Sequence, residues 1–98
     1  MDEIFYYSEL YDIYGNLLTE KQRLYFEDYY FNNLSLGEIA ENYSISRNAV
    51  YNQLQIIIKH LKEYDEKMSL LDKKRQFDIL IDSGAEYISM DDLKKIIM

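Results

Sequence analysis

Apolar positions recur along this 98-residue chain at spacings of three and four. That is the period of a helix face, not the alternation of a strand. Ile4, Tyr7, Tyr11, Tyr14 and Leu18 mark the first such face, and Gly15-Asn16 offers a stop, so a helix is predicted from about Asp2 to Tyr14. Thr19 and Gln22 can close a capping box ahead of Leu24, Tyr25, Tyr29 and Phe31, which predicts a helix from Glu20 to Phe31 before the Asn32-Asn33 break. A second box, Ser35 with Glu38, is flanked by Leu34 and Ile39 as a hydrophobic staple and starts a helix at Leu36. Ser46 repeats the device more weakly. Its hydroxyl can cap Asn48 or Ala49 and Ile45 pairs with Val50, but no Glu or Gln stands at Ala49. The helix that begins at Arg47 keeps one stripe, Val50, Leu54, Ile57, Leu61 and Tyr64, for more than four turns.

Two helix starts eleven residues apart, Ser35 and Ser46, enclose a short reversal at Asn42, Tyr43 and Ser44, with Ala40 small enough to let the helices cross closely. This is the spacing of a helix-turn-helix. Beyond Lys67, the positions Leu70, Leu71, Phe77, Leu80 and Ile81 predict a further helix that stops at Ser83-Gly84. Ser89 with Asp92, and Ile88 with Leu93, predict a last short one. The expected fold is all-α: a single domain over residues 1–98, with a helix-turn-helix core at about 17–64, a long fourth helix and a C-terminal helical extension at about 65–98.

Composition narrows the alternatives. No Pro, three Gly, 48% hydrophobic and 30% charged residues suit one helical core and neither an all-β nor a disordered chain. Absence of Cys excludes disulfides, thiolate metal sites and a Cys nucleophile. With no basic start leading into an apolar run, and no stretch of about 18 apolar residues, neither export nor a membrane span is expected, and the location is read as cytoplasmic. The glycosylation-type triplets Asn33-Leu34-Ser35 and Asn42-Tyr43-Ser44 are therefore accidental.

Catalysis finds no constellation. His60 is the only imidazole, no Gly-rich phosphate loop or paired metal ligands occur, and Asp91-Asp92 reads as helix-start charge. No enzyme activity, cofactor, metal or small-molecule substrate is expected.

The run LTEKQRLYFEDYYFNNLSLGEIAENYSISRNAVYNQL resembles region 4 of sigma factors, and from residue 4 to about 82 the chain resembles the YlxM family. The segments YYSELYDIYGNLLTEKQ and EIAENYSISRNAVY and the acidic helical tail carry that likeness. The resemblance implies a small bacterial helix-turn-helix regulatory protein, encoded beside the signal recognition particle GTPase and linked to that particle's pathway. One departure stands out: proteins of this kind place Gly in the turn before ISR, where this chain has Ser44. Holding a non-Gly residue at positive φ costs about 1 kcal/mol.

If Val50, Leu54 and Ile57 point inward, then Arg47, Asn48, Tyr51, Asn52 and Gln55 point outward. Those side chains can fork to guanine, pair with adenine, or reach a phosphate or a thymine methyl in the major groove. An ordinary solvated polar face is the competing explanation. Residues 1–33 hold seven acids and two bases, residues 34–62 two acids and three bases, and residues 63–98 nine acids and six bases. The helix-turn-helix is thus the only non-negative segment of a chain with net charge −7. Arg47 and Lys59, with Lys21 and Arg23 at the start of the second helix, are the phosphate-binding candidates. So few bases imply weak DNA binding per monomer. A homodimer would ease this, and Ile56, Ile57, Ile58 and Leu61 leave apolar area that a second copy, or folded-back C-terminal helices, would cover. Acidity instead favours an adaptor that meets a basic partner such as the signal recognition particle protein or its RNA. Eleven Tyr also permit base stacking on RNA, although ring packing within helices is their ordinary use.

Overall fold

The structure, a computed structural model, describes residues 3–82 and 90–97. Six helices follow in order: α1 Glu3–Tyr14, α2 Glu20–Tyr30, α3 Leu36–Tyr43, α4 Arg47–Met68, α5 Leu70–Asp82 and α6 Met90–Ile97. A 3₁₀ turn over Gly15–Leu17 joins the first two, and no strand occurs among the described residues. The family-like all-α fold is the one observed.

Local chemistry sets each start. Thr19 Oγ1 accepts from the Gln22 amide at 3.2 Å while Gln22 Oε1 accepts from the Thr19 amide at 3.0 Å. Ser35 and Glu38 exchange the same pair of bonds, both at 3.1 Å. These bonds hold the Glu38 carboxyl below its usual range. Ser46 caps the Ala49 amide at 3.0 Å, one of the two partners its position allows. The end of α2 differs from expectation by one residue: Phe31 is the cap, with its amide already bonded to Glu27. The turn is also tighter than expected. Asn42 and Tyr43 stay helical, and the reversal falls on Ser44, which lies at φ 55°, ψ 44°. Ser44 N–H donates to the Glu41 carbonyl and Ile45 N–H to the Ala40 carbonyl, so two otherwise free α3 carbonyls are satisfied as in a Schellman motif. The caps proposed at Ser83-Gly84 and Ser89, the staple at Ile88, and Asp2 lie outside the described residues.

One apolar core runs through Leu10, Tyr14, Phe26, Ile39, Val50, Ile57 and Leu61, each no more than 1% exposed. Within it Tyr11 stacks on Phe26 with centroids 4.4 Å apart, and Tyr30 and Phe31 meet the same ring. A Cβ at Gly15 would lie 3.1 Å from the Tyr11 ring, so a larger residue there would push that ring by a few tenths of an ångström. Tyrosine hydroxyls tie helices together at the core's edge: Tyr11 to Glu27, and Tyr43 to Asp28 Oδ2 at 3.0 Å.

The long stripe of α4 is covered within one chain. Ile57, Ile58 and Leu61 are buried, and α1, α2 and α3 are the elements packed along α4. Leu71 at the start of α5 joins that core, and Ile56, 41% exposed, stays open. The C-terminal helices extend the molecule to 52 × 25 × 23 Å. Their junction is latched by α1. Ser69 sits at φ 54°, the Tyr14 hydroxyl donates to Asp65 Oδ1 at 2.6 Å and accepts from the Leu70 amide at 3.0 Å, and Asp65 Oδ1 accepts from Leu71 at 3.2 Å. Arg75 adds a bond to Glu9 at 2.9 Å.

Candidate nucleic-acid interface

α4 crosses α3 immediately after the Ser44 reversal and turns Val50, Leu54 and Ile57 into the core. Helical geometry then exposes the opposite side. Arg47, Asn48, Tyr51, Asn52 and Gln55 are all exposed, with Tyr51 at 52%, so five candidate readers share the first turns of one helix. Arg47 does not stand free of the fold: its Cδ and Nε pass 3.8 Å from where a Gly37 Cβ would be, so its stem lies over the first turn of α3. Lys59 is exposed further along, about 18 Å from Arg47 at 1.5 Å per residue.

The two bases of α2 part company. Lys21 is exposed and lines a cavity of about 340 Å³ between the start of α2 and the first turns of α4, together with Ile45, Ala49 and Gln53. Arg23 is half-buried and its charge acts on Tyr11, beside Glu27, so it faces α1 and not α4. Among the described residues no ion pair engages Lys21, Arg23, Arg47 or Lys59. The charges of Lys21, Arg47 and Lys59 are exposed to solvent.

The structure adds residues that the sequence reading passed over. Gln53 sits on the flank between the buried stripe and the exposed face, one turn beyond Ala49, and was visible only as a polar residue at intermediate register. Tyr25 looked like core surface; it is that, and also the wall of the same cavity.

Among the described residues the titratable side chains form no close cluster around His60. His60 Nδ1 lies 3.8 Å from Glu63 Oε2 on the same helix, and no group of three or more His, Cys, Asp or Glu fit to hold a metal occurs among the described residues. None of the described helices is long and apolar enough to cross a membrane.

Comparison with known proteins gives a consistent picture. Residues 1–97 match the YlxM / p13-like family of helix-turn-helix proteins. A UPF0122 protein of Shouchella clausii is 47% identical over 73 residues, which is 74% of this chain and 67% of that protein. A UPF0122 protein of Bacillus cereus is 43% identical over 83 residues, 85% of this chain and 76% of that protein.

Proposed function

The chain belongs to the YlxM / p13-like helix-turn-helix family, and from that premise we propose that it is a non-catalytic, cytoplasmic regulator whose α4 enters the major groove of DNA. The observation that carries this reading is the row of five exposed, hydrogen-bonding side chains on the outer side of α4, in the only non-negative segment of the sequence. Arg47 forks to guanine and Asn48, Asn52 and Gln55 pair with adenine, while Lys59 and Lys21 take phosphates.

Mobility-shift titrations test it. Arg47→Ala and Asn52→Ala should each weaken specific binding by about 10-fold or more, in line with the 1–3 kcal/mol of a bidentate base contact. The log-log salt slope should be near −2 per chain for the phosphates taken by Lys59 and Lys21, at about −0.9 per neutralised phosphate. Binding that ignores salt, or that survives both substitutions unchanged, refutes the contact set.

A homodimer would double these contacts, and we place its interface on the C-terminal helices. Ile79 is 68% exposed, and Ile81 and Ile97 are each 61% exposed. The first half of α5 carries Asp72, Lys73, Lys74 and Arg75 and its second half Asp78 and Asp82, with Lys74 paired to Asp78 and Arg75 to Glu9 within the chain, so the pairing with a second α5 rests on the exposed isoleucines. Sedimentation at micromolar concentration should show a dimer that Ile79→Lys with Ile81→Lys converts to monomer. A monomeric unsubstituted protein rejects the interface.

A second reading rests on the acidity of α1 and α2. Residues 1–33 carry seven acids against two bases, a surface suited to a basic partner, and the family likeness points to the signal recognition particle. A pull-down with the particle protein and its RNA that survives Arg47→Ala and Asn52→Ala favours this adaptor role.

A further inference from the structure

The cavity between α2 and α4 has features that the base-reading face does not explain. The molecule has 18 acidic residues against 11 basic ones, yet the cavity wall contains Lys21 and no carboxylate. The start of α2 opens onto it. The Thr19 and Gln22 amides are taken up by the capping box and that of Arg23 by the Thr19 carbonyl, while the amides of Glu20 and Lys21 meet no acceptor among the described residues. Tyr25 supplies an independent observation. Its side chain is 97% removed from solvent, with 3% exposed, and its ring sits edge-on against Tyr43 at 4.9 Å. Its hydroxyl has no hydrogen-bond partner among the described residues, whereas those of Tyr11, Tyr14 and Tyr43 each grip a carboxylate. No fully enclosed side-chain oxygen is left unpaired there, so the Tyr25 hydroxyl keeps its opening through the cavity that it walls.

We propose that this cavity binds a phosphodiester of the nucleic-acid backbone. Lys21 supplies the positive charge, its backbone amide and the helix dipole face the anion, and the Tyr25 hydroxyl and Gln53 side-chain amide donate to its unesterified oxygens. The inference deepens the DNA-binding reading and depends on it for the source of the phosphate. Gln53 follows Asn52 directly, so the phosphate that it holds belongs to the strand running beside the base-reading row. The site fixes how deep and at what angle α4 enters, and carries no sequence preference of its own.

The test is an amide-resolved NMR titration of the whole chain, first with inorganic phosphate at low ionic strength and then with a short DNA duplex. Phosphate alone should shift the Glu20, Lys21 and Gln53 amides saturably. Lys21→Ala should abolish the shifts, and Tyr25→Phe, with Gln53→Ala as a variant further from the core, should weaken them several-fold. With the duplex the same amides should move. Lys21→Ala should then flatten the salt slope by about one and weaken all DNA sequences alike. Phosphate that leaves these amides unmoved overturns the site. A duplex that shifts the Asn48 and Asn52 amides but not those of Glu20 and Lys21 also overturns it, and leaves the α4 reading intact. Phosphate capture with no duplex binding overturns the phosphodiester assignment together with the DNA reading, and leaves a site for a small phosphate.

Discussion

Phe26→Ala should lower the free energy of unfolding by about 3–5 kcal/mol, a large part of the 5–15 kcal/mol that typically holds a small domain together. Phe26 is fully buried and sits where α1 and α2 meet. Tyr11 lies parallel on one face at 4.4 Å, Tyr30 is tilted against the ring at 4.6 Å, and Phe31 approaches edge-on at 5.7 Å. Truncation removes the ring and leaves a void that three aromatic neighbours, themselves tied to other contacts, fill only in part. Urea denaturation followed by helical circular dichroism checks this. Phe31→Ala provides the contrast, since that ring is 49% exposed and should cost far less. A loss under about 1 kcal/mol for Phe26→Ala would mean that this aromatic cluster is not the joint between α1 and α2.

Alkaline solution should unfold the protein well before backbone chemistry intervenes. Burial, reinforced by the hydrogen bonds to Glu27 and Asp65, pushes the Tyr11 and Tyr14 phenols up to about 12, and burial among neighbouring rings does the same for Tyr30. In the unfolded chain each ionises near 10. Between those two values the unfolded state has lost protons that the native state still holds, so stability falls as pH rises. Below pH 10 both states keep the proton and the contribution is fully present. Each phenol adds a slope of at most about 1.4 kcal/mol per pH unit across the window. Denaturation midpoints measured from pH 8 to 12 should hold level to about 9.5 and then drop steeply. Tyr14→Phe should lower the plateau and soften the drop. A midpoint unchanged at pH 12 would contradict the protonated phenol–carboxylate pairs.

Local order in this molecule is written in short, nearly self-contained signals, and these were legible. Thr19 with Gln22 and Ser35 with Glu38 fix two helix starts by bonds spanning three residues, and Ser46 fixes a third. The outward register of Arg47, Asn48, Tyr51 and Asn52 follows from the inward register of Val50 and Leu54 by helical geometry alone. What periodicity does not encode is which helix covers which. The stripe of α4 announces that something apolar must lie on it, but a face of Leu and Ile is equally satisfied by α1, by the tail or by another molecule. Only the assembled core shows that α1, α2 and α3 do most of the covering, with Leu71 of α5 at one end. Pairings such as Tyr14 with Asp65 depend on that choice. Arg23 and Lys21 stand two residues apart, and the helix rotation of about 200° between them sends one toward Tyr11 and the other toward the cavity beside α4. Tyr25 looked like any other core aromatic because nothing in its neighbourhood in sequence reveals that its hydroxyl is left unpaired.

The latch at Tyr14 sets an order of events for a growing chain. The Ser69 side chain caps no amide of α5, and its backbone takes the left-handed conformation; Asp65 meets the Leu71 amide, and the oxygen that meets the Leu70 amide comes from 56 positions earlier. Bringing together points so far apart costs entropy that grows slowly with distance but must be met before α5 gains its anchor. Since translation delivers α1 first, the receptor for α5 is already made when that segment leaves the ribosome, and the tail can dock as it emerges.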